Sequence, residues 1–320
     1  MKRRHRQAGA ALLLAMVIVA LVTTIASGMV WLQTRAVQVE AAERARVQAS
    51  WILSGALDWA RLILREDERG GRQRGAAYDA FNEPWATPLA EARLSTFLAA
   101  DKDNNVDSGP EAFISGSIVD AQSRFNLRGL IDGAGKPVPA QVAALQQLAS
   151  WAGAPGDTAQ RITEGLRRAF YPGVADNAAA APIKPTQLSD LAWIGIEAPT
   201  LERLAPWVEL LPLPTTVNAN TAPREVLAAS IEGLDLGSAE RMVQSRLRKP
   251  FETIADVQAM LPGAVRVDAA RVGVGSSWFE VSGRLRLEER VLEERSLLQR
   301  EGEKVSVRRR ERHSFTLGAR

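Results

Sequence analysis

The sequence predicts a mixed α+β chain: a long N-terminal helix, a helical middle and a C-terminal antiparallel sheet. Three observations carry this. Apolar residues recur at steps of three and four as far as Ile63, with no proline before Pro84. The same helical spacing dominates from Pro139 to Ile231. From Ser277 onward the period changes to two, with charges between apolar positions, as a half-solvated sheet requires.

The first helix begins in a lipid-like composition. Lys2, Arg3, Arg4 and Arg6 precede a stretch from Gln7 to Thr34 that carries no charge. About 23 helical residues rising ~1.5 Å each span a hydrocarbon core of ~30 Å. The positive-inside rule keeps the basic leader in the cytoplasm and sends the chain after Gln33 across, in a single pass. A cleaved secretory signal ending near Ala26 to Gly28 is the alternative, but the apolar run continues through Leu32 and is long for an h-region.

Beyond the membrane the helical pattern continues. Val37, Ala41, Ala45, Ala49, Ile52, Ala56, Trp59 and Ile63 form the expected buried face, with Glu40, Glu43, Arg44, Arg46 and Arg61 elsewhere. One helix from about Ala10 to Arg65 accounts for this, as do two helices joined near Gln33. The stretch GGRQRG (Gly70 to Gly75) reads as a break, and NEPWATP (Asn82 to Pro88) as loop. Leu94 to Ala100 is a short helical or strand-like run.

A polar loop, DKDNNVDSGPE, follows. Asp101, Asp103, Asn105 and Asp107, with Glu111, offer oxygens at alternate positions, as a calcium loop does, although Val106 stands where an EF-hand has its turn glycine. Calcium is the cofactor this loop suggests, and a solvated turn is its rival. Next, AFISGSIVDAQSRFN (Ala112 to Asn126) has the β-branched character of a strand or hairpin.

The middle reads as helices separated by Ala, Pro and Gly-rich connections. Its most specific stretch is VNANTAPREVLAAS (Val217 to Ser230), in which Thr221 is the expected N-cap and Pro223 falls in the first turn. Further short helices surround the turn Lys249 to Phe251, suggesting a helix-hairpin-helix or SAM-like module. Arg241, Arg246, Arg248 and Lys249 lie in it, so a membrane-anchored helix-hairpin-helix DNA-binding protein is an alternative reading. Against it, EGLDLG spaces its glycines unlike a GxG hairpin and carries Asp235 where a phosphate would approach.

In the C-terminal part, Phe279, Val281, Leu285 and Leu287, then Val305 and Val307, are the expected inward positions. The run VRRRER reads as outward charge on an edge strand, which discourages edge-to-edge pairing.

Composition excludes several function classes. The chain has no cysteine, which removes disulfides, thiolate metal sites and cysteine nucleophiles. Its only histidines are His5 and His313, and 40 Lys and Arg against 37 Asp and Glu leave a net charge of +3, too small to name a polyanionic partner. Phosphate loops and nucleophile elbows are missing from the sequence. A non-catalytic protein with no small-molecule substrate is expected.

The basic leader ending in Gly9, the apolar helix and its amphipathic continuation together resemble a prepilin-type signal. With GSIVDAQSRFNLRGL (Gly116 to Leu130), VNANTAP and RKPFETIADVQAML, the chain resembles, over nearly its full length, the general secretion pathway protein K family, the large minor pseudopilins of type II secretion. The resemblance implies cleavage by prepilin peptidase between Gly9 and Ala10 and methylation of the new terminus. It also implies a pseudopilin fold, a long N-terminal helix with a small antiparallel sheet, carrying a large inserted all-α domain.

The division this implies is a leader over 1–9, a transmembrane part over 10–32, a discontinuous α+β domain over 33–129 and 276–316, and the insert over 130–275. A second SAM-like module covers about 215–275. The implied setting is the inner membrane, with the bulk of the chain in the periplasm. The implied partners are minor pseudopilins I and J, with H and the major pseudopilin G reached through them, and no nucleic acid. Calcium is associated with the family's helical domain, but EGLRRAFYPG (Glu164 to Gly173) lacks the acids expected for it. Most pseudopilins carry glutamate at the fifth mature position, where it compensates a neighbour's terminal amine. Here that position is Leu14, which implies a subunit at the filament's end.

Overall fold

The computed structural model describes residues 8–75, 77–94, 112–173, 182–287 and 289–317. The chain divides into two compact units, Met1–Gly55 and Ala56–Arg320. A single helix, α1 (Ala8–Arg74), begins in the first and ends in the second.

In the first unit, α1 is apolar and exposed through Leu32, and it is long and apolar enough to cross a membrane. The hydroxyls of Thr23, Thr24 and Thr34 donate to carbonyls one turn back, so these polar groups are satisfied within the helix.

Two expectations for α1 are corrected. The helix does not break at Gly70 but runs to Arg74, because Arg69 pairs with Glu66 and Arg72 with Glu68 across its last turns. It ends at Gly75, whose φ of 72° is the left-handed conformation that glycine adopts without strain. In the second unit the buried row of α1 is Leu57, Ala60 and Leu64, not the row through Trp59, which is exposed, as is Val37 in the first unit. Between 52 and 64 two apolar rows run side by side. There the leucines pack with Trp85 and Phe279.

The sheet of the second unit has five antiparallel strands in the order β1-β2-β7-β8-β9. These are β1 (Leu89–Arg93) and β2 (Ala112–Asp120), then β7 (Trp278–Leu287), β8 (Arg290–Glu301) and β9 (Lys304–Thr316). β1 was not legible in the sequence, since four of its five residues are exposed. The expected strand or hairpin over Ala112 to Asn126 is a strand ending at Asp120, where the Asp120 side chain accepts from the Gln122 amide in a 3₁₀ turn, followed by a two-residue strand at Phe125–Asn126 that pairs elsewhere. Gly116 is required where β2 meets β7, because a Cβ there would lie 2.7 Å from the Ser282 carbonyl.

One face of the sheet packs Phe279, Val281, Leu298 and Val305 against Leu57, Ala60 and Leu64 of α1. Trp85, expected in a loop, is fully buried in this core, edge-on to Phe279 at 5.3 Å. On the other face Trp278 and Leu297 meet Ala121 and Leu211 in a smaller apolar patch.

Between β2 and β7 the chain leaves the sheet and forms a helical body. It contains β3 (Phe125–Asn126), α2 (Pro139–Trp151), α3 (Thr158–Phe170), α4 (Ala198–Leu204), β4 (Val208–Glu209), β5 (Val217–Asn218), α5 (Arg224–Ser230), α6 (Leu236–Arg248), α7 (Ile254–Met260) and β6 (Val272–Gly273). The two-residue strands pair in parallel, β3 with β4 and β5 with β6. The core is one cluster, with Leu145, Leu148, Ile162, Leu166, Leu204 and Leu227 all close to zero exposure.

α5 starts at Arg224 with Pro223 as its capping residue, so Thr221 is not the N-cap expected of it. The Thr221 hydroxyl donates instead to the carboxylate of Asp120.

Candidate functional site

The two chain crossings between sheet and helical body meet at a buried polar junction. Asp120 ends β2 where the chain leaves the sheet, and Ser276 and Ser277 precede β7 where it returns. Asp120 Oδ2 accepts from the Ser276 hydroxyl at 2.7 Å, the Thr221 hydroxyl at 2.6 Å and Asn218 Nδ2 at 2.8 Å. Its other oxygen accepts from the Gln122 amide. Burial pushes this carboxyl up, while those donors pull the other way.

The motif Val217 to Ala222 supplies two of these four donors, Asn218 and Thr221. The parallel pairing of β5 with β6 presents Asn218, which is fully buried, at the junction. Its Nδ2 also donates to the Asp79 carbonyl at 2.9 Å and the Ser276 hydroxyl at 3.0 Å. Two residues on, Asn220 faces the helical body, donating to the Phe251 and Val274 carbonyls and accepting from the Phe251 amide. One asparagine thus serves the sheet side and the other the helical side.

Beside them lies a second layer. Arg300 of β8 donates to both oxygens of Asp79, at 2.5 and 2.6 Å, and to the Ser276 carbonyl. It also reaches Asp67, near the end of α1, at 3.0 Å. Carboxylate oxygens of Asp67, Asp79 and Glu83 converge here, and the guanidinium pairs with Asp67 and Asp79. Burial pushes Asp79 up to about 7, against the pull of Arg300. Burial likewise raises Glu83, whose carboxylate accepts from the Ala80 amide and the Trp85 indole.

Of the residues singled out by sequence, Gly9 and Ala10 lie in the first turn of α1, and Leu14 is on the same helix with its side chain 63% exposed. Asp101, Asp103, Asn105 and Asp107 lie outside the described residues. Of the basic cluster of the DNA-binding alternative, Arg241, Arg248 and Lys249 are exposed, whereas Arg246 is turned inward. Arg246 is buried and donates to the Ala219 and Ala222 carbonyls, and burial lowers its pKa to about 10. Arg241 donates to Ser238, and Asp235 caps α6 by accepting from the Ser238 amide. Neither this geometry nor the likenesses below support that alternative. Sequence reasoning missed Asp67, Asp79, Asp120, Ser276 and Arg300: Asp120 and Arg300 lie in strands, Asp67 in the charged end of α1, and Asp79 and Ser276 in connections, so no shared local signal marks them.

Likeness to known proteins covers nearly the whole chain. Residues 217–275, which include the asparagine motif, match the family described as type II secretion system (T2SS), protein K. Type II secretion system protein K of Pectobacterium carotovorum subsp. carotovorum is 30% identical, with 96% of this chain and 97% of that protein covered. The protein of that name from Pseudomonas aeruginosa is 29% identical over 90% of this chain and 87% of its own. In fold, the chain is similar to one in the crystal structure of the GspK-GspI-GspJ complex from the enterotoxigenic Escherichia coli type 2 secretion system. The TM-score is 0.62 at 20% identity, covering 85% of this chain and 98% of that one. Long helix, antiparallel sheet, helical body and near-full-length sequence likeness therefore agree: the chain belongs to the type II secretion system protein K family.

Proposed function

We propose that this protein is a minor pseudopilin that caps the pseudopilus tip together with minor pseudopilins I and J, initiating assembly and supporting export of folded proteins across the outer membrane. The carrying observation is the likeness over 96% of the chain to a type II secretion system protein K, and the fold is similar to a chain of the GspK-GspI-GspJ complex. On this reading the function lies in surfaces rather than in a catalytic pocket. The helix up to Leu32 anchors the chain in the inner membrane, and residues 33–129 with 276–316 carry the 130–275 domain in the periplasm. Prepilin peptidase cuts after Gly9, Ala10 becomes the methylated terminus, and H and G join through I and J.

Leu14 favours the tip. A terminal amine in hydrocarbon costs several kcal/mol when unpaired, so a subunit with leucine at this place fits where it has no neighbour's amine to compensate. A helical body borne on the sheet would also obstruct stacking of another subunit above it. Calcium at Asp101, Asp103, Asn105 and Asp107 is part of the same reading, and a rise in melting temperature with calcium that Asp101→Ala with Asp103→Ala abolishes would support it.

The deciding experiment is co-purification of the full chain with I and J from detergent-solubilised membranes, with labelling of assembled filaments. A stable complex with I and J and label at one filament end are expected. A chain that stays alone, or label along the filament, would overturn the reading.

A further inference from the structure

We infer that the junction is a lock fixing the helical body onto the sheet in one orientation, with Asn218 as its positioning residue. The apolar contact between the two is small: among the described residues the buried cluster joining them is Ala121 and Leu211 against Trp278 and Leu297. An interface of that size leaves relative motion as the default. The remaining ties are directional. Asn218 and Thr221, from the helical body, donate to Asp120, at the end of the sheet. Asn218 also reaches the carbonyl of Asp79, whose carboxylate is held by Arg300. Gln122 bridges the two crossings, donating to the Thr216 carbonyl and accepting from the Ser277 amide. Farther out, Arg309 of β9 donates to the Thr186 carbonyl.

Such bonds tolerate little rotation, since hydrogen bonds weaken steeply away from linearity. Asp120 is 1% exposed, so undocking would strip a buried carboxylate of two of its donors. From the helical body, the Asn218 side chain reaches both layers of the junction, through Asp120 and Ser276 on one side and the Asp79 carbonyl on the other. With Asn218 removed, the crossings at 121–123 and 274–277 would act as a two-stranded hinge while each side keeps its own core.

The test uses the absence of native cysteine in the full chain. Spin labels at Gln160→Cys on α3 and Lys304→Cys on β9, both exposed, report the distance between helical body and sheet. A single narrow distribution is expected for the otherwise unaltered chain in detergent. Asn218→Ala should at least double its width with helical circular dichroism unchanged. Leu148→Ala, which loosens the helical core without touching the junction, should leave the width as it was. If Asn218→Ala does not fold, Thr221→Val and Ser276→Ala, each removing one donor to Asp120, are measured instead, and broadening is again expected. Distributions as narrow as the parent's in the folded variants, or equal broadening by Leu148→Ala, would overturn the lock.

Discussion

In the helical body, Leu148, Ile162 and Leu227 lie against other hydrocarbon side chains, none exposed to solvent. A few residues away in space, Asn218, Asp120 and Ser276 are as deeply buried, yet their neighbours are oxygens and nitrogens at 2.7 to 3.0 Å. The first region is held by area removed from water, a term that does not depend on direction. The second is held by groups that must each find a partner, because burying an unpaired polar atom costs more than the bond itself contributes. The hydrocarbon core therefore tolerates exchange of shape for similar shape, while the junction tolerates almost no exchange.

Four measurements test this contrast. The largest effect is expected at Arg300. Arg300→Met keeps much of the volume but leaves Asp79 and Asp67 without their cation, at a cost of about 3–5 kcal/mol in denaturant unfolding of the full chain in detergent. A loss under 1 kcal/mol would mean the ion pairs contribute little. Next comes the core: Leu148→Ala should cost about 2–5 kcal/mol through the cavity it opens, whereas Leu148→Met should cost less than about 1.5. Similar losses from the two would show that this core is no more tolerant than the junction. Thr221→Val, nearly isosteric, removes a hydrogen bond to a buried carboxylate and should cost about 1.5–3 kcal/mol. A change as small as that of Leu148→Met would erase the contrast.

The last measurement is a pH slope. Burial holds Asp79 at about 7 in the folded state, above the ordinary value near 4. The folded chain thus keeps this proton more tightly than the unfolded chain. The group's contribution is complete below about pH 4 and is lost as pH rises through about 7. Stability relative to Asp79→Asn should therefore fall across that window by at most ~1.4 kcal/mol per pH unit. A difference that stays flat from pH 4 to 8 would place the proton elsewhere in the cluster.

The sequence shows these two regions unequally. The helical body announces itself through three-and-four spacing, and the strands β7 to β9 through alternation, because burial on one face imposes a period that can be counted. The row on α1 was misread because Ile52, Ala56, Trp59 and Ile63 satisfy the same period as Leu53, Leu57, Ala60 and Leu64; only the shape of the opposing surface decides between them. At the junction no period exists. Thr221 looks like a helix cap in any window of ten residues, and its true partner is Asp120, 101 positions away. Asp79, Ser276 and Arg300 are likewise joined across long separations, so local pattern could mark the asparagine motif as specific without saying what it binds.

The pairing of Asp120 with Phe279 has a consequence for how the molecule folds. Two neighbouring strands are joined by the entire helical body, and closing a loop that long as flexible chain costs about 3 kcal/mol more than closing one of a few residues, by some five doublings of length. If the helical body folds first, its two ends are already side by side and that cost disappears from the sheet's formation. Amide protection in pulse-labelled exchange should then appear at Leu148 and Leu166 before Val281. The sheet would be a late event, assembled on a scaffold that the chain inserts into the sheet's own middle.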